Sequence, residues 1–163
     1  MAVYTSEERA RRDASPWTLV QGVLAPIQFV VFLVSATLVI RYLATGWGLE
    51  AATISIVIKT LVLYAIMVTG CLWERDVYGR YLFARAFFWE DFVSMFVIAL
   101  HTAYLGALLF GTLHARYPMY IALLAYAAYL VNATQFLVKL RASRLDSRPA
   151  SAHLRAAVPG AIS

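Results

Sequence analysis

The chain of 163 residues carries hydrophobic side chains at 62% of its positions and charged side chains at only 14%. Soluble domains are nearer half apolar and a quarter charged, so this composition predicts a membrane protein. The single cysteine, Cys71, excludes a disulfide framework and a multi-cysteine zinc site within one chain. The net charge of +5 does not indicate nucleic-acid binding, because the basic residues lie in short segments between apolar runs.

Four apolar runs are long enough to cross the hydrocarbon core as helices, which takes about 20 residues. Their short linkers favour antiparallel neighbours in a bundle. Pro26 in the first run predicts a kink or a local break in the backbone hydrogen bonding. We therefore predict an all-α, integral membrane four-helix bundle over residues 17–141. Its helices are expected at about 17–42, 52–73, 87–110 and 117–140.

The basic residues predict the orientation of these helices. Eleven of them lie in the N-terminal segment, the middle linker and the C-terminal segment, against Arg41 and Arg116 near the other two linkers. Such an asymmetry places both termini in the cytoplasm. Residues 1–16 are then a cytoplasmic N-terminal segment. Residues 142–163, rich in Ala, Arg, Ser and Pro, are predicted to be a disordered cytoplasmic tail.

Each predicted helix carries polar residues at helical spacing, on one stripe of its surface. We predict that the four stripes face inward and form a polar lumen, because polar groups inside a membrane usually face a bundle interior. The stripes are Gln21, Gln28 and Ser35; Thr60, Tyr64, Met67, Cys71 and Glu74, with Lys59 beside them; Glu90, Ser94, Val97, His101 and Tyr104; and Ala125, Ala128, Asn132, Gln135 and Lys139.

Two adjacent carboxylates, Glu90 and Asp91, lie inside the apolar stretch "AFFWEDFVSM". Adjacent helical residues point about 100° apart, so we expect at most one of them to face the lumen squarely. Glu90, which shares its stripe with His101, is the first choice for the lumen. Glu90 and His101 are eleven residues apart, about 16 Å along the helix axis.

Each of these residues also has a structural interpretation. Glu90 or Asp91 could form an ion pair with Arg80, Arg85 or Lys139 that holds the bundle together. His101 could bond a neighbouring helix, Lys59 could extend towards the outer face, and the carboxamides could link helices. The residues themselves therefore predict a four-helix membrane protein with an acidic, His-containing lumen, and they do not name a substrate.

Five stretches carry a resemblance to a known family: "RRDASPWTLVQGVLAPIQF", "SIVIKTLVLYAIMVTG", "AFFWEDFVSM", "ALHTAYL" and "QFLVKLRA". With them the chain resembles the 2-vinyl bacteriochlorophyllide hydratase family, also called chlorophyllide 3-vinyl hydratase, over about residues 4–145. The resemblance implies a hydro-lyase that adds water to the 3-vinyl group of chlorophyllide a. The expected product is 3-(1-hydroxyethyl) chlorophyllide a, made in the bacterial inner (intracytoplasmic photosynthetic) membrane.

That reaction needs a general acid, and burial among apolar groups favours the protonated form of a carboxyl group. We expect Glu90, Asp91 and His101 to be catalytic. Glu90 is the first choice for the proton donor, and Asp91 for a structural or counter-charge role or as the base for water. His101 is expected either as the acid or as an axial ligand to the magnesium of the substrate. No organic cofactor or protein-held metal is expected, because hydration is redox-neutral. The expected substrate-binding residues are Lys59, Glu74, Arg80, Arg85, Asn132, Gln135 and Lys139, with the cytoplasmic cations near the pigment's propionate.

Two other functions remain open at this point: a non-catalytic pigment carrier or assembly factor, and a small proton-coupled transporter. The expected partners are chlorophyllide and the lipid bilayer, without nucleic acid. Other bacteriochlorophyll biosynthesis enzymes and a second copy of the chain are further candidates.

Overall fold

The computed structural model describes residues 4–111 and 116–156, with side chains up to residue 142. Within these residues the chain forms α-helices and no strand, which confirms the all-α prediction. The helices are α1 (Ser6–Ala14), α2 (Pro16–Thr45), α3 (Leu49–Tyr78), α4 (Phe88–Phe110) and α5 (Arg116–Ala156). Four of them, α2 to α5, are long and apolar enough to cross a membrane, the span of α5 ending at Ala142.

Helix α1 lies in the segment that was expected only to precede the bundle. It begins with a capping box, in which the Thr5 hydroxyl accepts a hydrogen bond from the Glu8 amide at 3.2 Å and the Glu8 carboxylate accepts one from the Thr5 amide at 2.7 Å. Pro16 at the first turn of α2 follows at once, where its missing N–H costs no helical hydrogen bond. Ser15, between the two helices, donates to Asp76 of α3 at 2.8 Å. The N-terminal segment is therefore fixed to the end of α3.

The four long helices form a bundle in which α2 packs along α3 and α4 along α5, with smaller contacts between α2 and α5 and between α3 and α4. Ser35 bonds Ser55 at 2.8 Å, and Gln21 bonds Thr69 at 2.7 Å. Residue numbers rise in α2 as they fall in α3, so the two helices are antiparallel. Helix α2 continues through Pro26 without interruption.

The helices extend beyond the apolar runs. Helix α3 ends at Tyr78, five residues later than expected, because Gly79 in the left-handed conformation terminates it (φ 75°). Helix α5 continues to Ala156 through residues that the sequence predicts to be disordered. Residues 157–163 of the expected tail and residues 112–115 of the third linker lie outside the described residues.

The predicted inward direction of the polar stripes is confirmed by burial. All four spanning helices contribute buried polar side chains, and these are Gln28, Ser35, Lys59, Thr60, Glu74, Glu90, Asp91, His101 and Asn132. Glu90 and Asp91 are both buried, at 7% and 4% exposed, although they point to different sides of α4. Asp91 is covered from a second side by the segment 79–87, which folds back against the first turn of α4.

Candidate active site

Glu90, in the first turn of α4, is held by Lys139 of α5. Its Oε2 atom accepts a hydrogen bond from the Lys139 ammonium at 2.7 Å. The ammonium also donates to the Ala86 carbonyl and lies 4.7 Å from the centre of the Phe87 ring. Glu90 is thereby placed as an ionic link between α4 and α5, which is the structural interpretation drawn from the sequence.

Asp91 points to the other side of α4, towards Glu74 of α3. Oδ2 of Asp91 accepts a hydrogen bond from the Phe83 amide at 2.7 Å, and Oε2 of Glu74 accepts one from the Ala84 amide at 3.2 Å. The two amides belong to consecutive residues, so the two carboxyl groups lie close together, and both are buried. Neighbouring carboxylates repel each other unless one of them carries a proton. We call Glu74 and Asp91 the acid pair.

Two successive backbone amides hold this pair because of an unusual backbone conformation at Phe83. Phe83 has φ 59°, in the left-handed region that non-glycine residues rarely adopt. Successive amides in such a turn point to one side and form a small anion-binding concavity. No side-chain motif in the sequence marks it, because both donors are main-chain N–H groups.

Asn132 fixes the first turn of α4 from the side of α5. Its amide donates to the Glu90 carbonyl at 2.9 Å and to the Ser94 hydroxyl at 3.0 Å. Ser94 also donates to the Glu90 carbonyl at 2.8 Å. Asn132 therefore positions the backbone that carries both carboxylates. Gln135, one turn further along α5, is half-buried, and its carbonyl oxygen has no hydrogen-bond partner among the described residues.

A second polar group lies deeper in the bundle. Lys59 and His101 are both 0% exposed, and the lysine Nζ lies 2.9 Å from His101 Nε2. His101 Nδ1 lies 2.8 Å from the Val97 carbonyl, which can only accept, so Nδ1 carries the proton and Nε2 accepts from Lys59. The Lys59 nitrogen also lies over the Tyr129 ring, 4.2 Å from its centre. Lys59 does not extend to the outer face, and both nitrogens of His101 are engaged.

Tyr126 and Tyr129 complete this deep group, and neither is among the candidates that the sequence analysis names. The Tyr126 hydroxyl lies 2.5 Å from the Ser35 hydroxyl, and its ring lies 5.9 Å from that of His101. Both tyrosines follow the helical spacing that leads to Asn132, and this periodicity was the available signal. The deep group is about 16 Å from Glu90 along α4, so the two polar groups are separate.

The remaining two candidates, Arg80 and Arg85, are exposed and lie in the segment between α3 and α4. Four of the exposed aromatic side chains in this segment and on the first turns of α4 contact one another in a row, and we call them the aromatic face. Neighbouring rings along it are 5.6, 5.6 and 6.4 Å apart. The face consists of Phe83, Phe88, Trp89 and Phe92. Phe83 joins it to the acid pair, because the same residue donates its amide to Asp91.

Comparison with known proteins gives a consistent result. The sequence model of a family described as 2-vinyl bacteriochlorophyllide hydratase matches residues 4–142. A protein of that name from Rhodobacter capsulatus is 65% identical over 146 residues, covering 90% of this chain and 85% of the relative. Another from Cereibacter sphaeroides is 64% identical over 148 residues, covering 91% and 92%. No solved structure matches the chain.

Proposed function

Because the chain belongs to the 2-vinyl bacteriochlorophyllide hydratase family, we propose that it adds water to the 3-vinyl group of chlorophyllide a and forms 3-(1-hydroxyethyl) chlorophyllide a. The protein is a hydro-lyase of bacteriochlorophyll synthesis. The observation that carries the proposed mechanism is the buried Glu74–Asp91 pair, which meets the need of this reaction for an acid inside an apolar setting.

Hydration of the vinyl group begins with proton transfer to its terminal carbon. The electron pair of the double bond forms the new C–H bond, and the positive charge on the neighbouring carbon is delocalised into the macrocycle. Water then forms the C–O bond and gives one proton to the carboxylate that the first step left behind. The acid is regenerated and the net change is one added water. No organic cofactor takes part in this proposal, and magnesium enters only as part of the substrate.

The Glu74–Asp91 pair is the proposed proton source, in place of Glu90, the first choice from the sequence. Lys139 already donates to Glu90, which leaves that carboxylate as an acceptor in the resting site. Glu74 and Asp91, in contrast, form no salt bridge among the described residues, and two neighbouring carboxylates favour a proton on one of them. The amides of Phe83 and Ala84 then stabilise the negative charge that remains after the transfer.

The pigment is proposed to bind on the aromatic face and not inside the bundle. Deep in the bundle Lys59 and His101 are fully buried and contact each other, and the described residues give neither of them an exposed surface for a macrocycle. A flat macrocycle finds ring surfaces at Phe83 and Phe88, on the side of the segment that touches Asp91. Exposed guanidinium groups at Arg80 and Arg85 suit its single propionate.

His101 has no role as a magnesium ligand in this proposal. Its Nε2 atom accepts from Lys59, its Nδ1 atom donates to Val97, and the ring is 0% exposed. The Lys59–His101 pair instead links α3 to α4 in the middle of the bundle. Of the residues expected to bind substrate, Lys59 and Asn132 are accordingly proposed to position helices.

Both termini and the acid pair are proposed to lie at the cytoplasmic side of the bacterial inner membrane. The excess of basic residues in the terminal segments and in the middle linker supports this orientation. The acid pair shares that end of the bundle, because Tyr4 of the N-terminal segment packs 6.4 Å from Phe87 at the start of α4. The substrate then reaches the aromatic face from the cytoplasmic leaflet.

The proposal is tested by incubating membranes that contain the protein with chlorophyllide a in ¹⁸O-labelled water. The expected product has gained one labelled water and absorbs further to the blue, because conjugation of the vinyl group is lost. A parallel incubation with the ring-reduced 3-vinyl bacteriochlorophyllide identifies the preferred ring oxidation state. Pigment that binds with its mass unchanged, in a folded preparation, would contradict the proposal and favour a carrier.

A further inference from the structure

Gln28 of α2 is a buried carboxamide that the proposed mechanism does not use. Its side chain is 1% exposed, yet neither Nε2 nor Oε1 has a hydrogen-bond partner among the described residues. Native proteins rarely leave a buried amide unpaired, because the hydrogen bonds that it made to water are then lost. An amide with two donors and an acceptor, all free, therefore points to a small ligand.

The position of Gln28 in the bundle follows from its neighbours at heptad spacing. Gln21, seven residues before it, bonds Thr69 of α3, and Ser35, seven residues after it, bonds Tyr126 of α5. Residues seven apart lie on the same side of a helix, about 10 Å apart along the axis. Gln28 thus lies midway along the face of α2 that packs against α3 and α5.

The register between α2 and α5 places Gln28 between the two polar groups. Phe32 packs against Tyr129 at 5.0 Å while Ser35 bonds Tyr126, so the helices are antiparallel with a constant offset. The same offset sets Gln28 level with the turn of α5 that follows Asn132. This turn contains Gln135, whose carbonyl oxygen is the other carboxamide atom without a partner among the described residues.

We propose that water molecules bind inside the bundle at Gln28 and Gln135 and supply the hydration reaction from within. Water both donates and accepts, and buried waters characteristically bridge polar groups that have no protein partner. The pigment on the outer aromatic face and the water in the inner seam would then approach the acid pair from opposite sides. The supplying role rests on the proposed hydratase function, whereas the water site itself does not.

The chain offers a favourable labelling experiment, because its carboxamide side chains number four. They are Gln21, Gln28, Asn132 and Gln135. With these side chains ¹⁵N-labelled and the protein in lipid bilayers, solid-state NMR measures magnetisation transfer from water to each amide. Asn132 is the matched control, since it is buried and both described contacts of its amide are to protein atoms, Glu90 O and Ser94 Oγ.

The Gln28 amide is expected to receive water magnetisation severalfold faster than the Asn132 amide. Gln28→Met keeps the length of the side chain and removes its polar atoms, so it assigns the Gln28 signal and should slow the transfer to Gln135. Gln21→Met, on the same stripe, should leave the Gln28 signal unchanged. Transfer to Gln28 as slow as to Asn132 would overturn the water site.

Whether this water supplies the hydration reaction is measured separately, by enzyme kinetics. Gln28→Met should lower kcat at least tenfold at saturating pigment, leave KM unchanged and keep the unfolding temperature at or above that of the parent protein. Full kcat in Gln28→Met, with the water signal present in the parent protein, would overturn the supply of substrate water. A parent protein that hydrates no pigment would refute the proposed function, and the NMR comparison would still decide the water site.

Discussion

Replacing Lys139 by Met tests the assignment of Glu90 as a structural ion-pair partner. The Glu90 side chain is 9% exposed and that of Lys139 23% exposed. Breaking a buried pair from one side costs about 3–5 kcal/mol. Because water partly reaches Lys139, we expect the lower part of that range, about 3 kcal/mol, including about 1 kcal/mol for the hydrogen bond to the Ala86 carbonyl.

A double-mutant cycle isolates the pair. Glu90→Gln in the Lys139→Met background removes the unpaired carboxylate and should recover about 2 kcal/mol of the loss. Reversible unfolding in mixed micelles gives the free energies of unfolding. Arg141→Met, which removes an exposed cation from the same helix, is the control and should leave the midpoint of unfolding unchanged. If Lys139→Met stays within about 0.5 kcal/mol of the parent protein, the buried pair does not contribute as argued.

Three further perturbations address the remaining parts of the site. Lys59→Met and His101→Leu should each cost about 1–3 kcal/mol, because each leaves the other buried nitrogen without its hydrogen-bond partner, and the double variant should lose less than the sum. Thermal unfolding in which the two losses simply add would contradict the pair. Arg80→Met combined with Arg85→Met should raise the KM for pigment roughly tenfold, equivalent to about 1.4 kcal/mol of binding free energy, with kcat unchanged. An unchanged KM would show that the propionate does not bind at that segment. Phe83→Gly should relieve about 1 kcal/mol of backbone strain yet weaken pigment binding, measured by fluorescence quenching; unaltered binding would place the pigment elsewhere.

Hydrophobic length and helical spacing were sufficient to predict the bundle. The four spans and the inward direction of Gln28, His101 and Asn132 follow from the requirements of a membrane interior, where polar side chains avoid lipid. Helix α1 was missed although Thr5 and Glu8 have the spacing of a capping box. That signal was available in the sequence.

The composition of the acid pair was not predictable in the same way. The 100° rotation between Glu90 and Asp91 is present, but it directs both carboxylates to buried partners, because segment 79–87 provides a second wall beside α4. Glu74 meets Asp91 only through that chain reversal, and the amides of the segment carry no side-chain signature. Helical periodicity does not predict contacts that depend on the conformation of a loop.

The central claim, that the Glu74–Asp91 pair supplies the proton, is tested most directly by kcat in three matched amide variants. Glu74→Gln and Asp91→Asn should each lower kcat by about 10²-fold or more, the usual contribution of a general acid, with little change in KM. Glu90→Gln, which removes the carboxylate that Lys139 already holds, should keep kcat within about tenfold of the parent enzyme. Loss of activity in Glu90→Gln with full activity in the other two, all three being folded, would contradict the account and return the proton to Glu90.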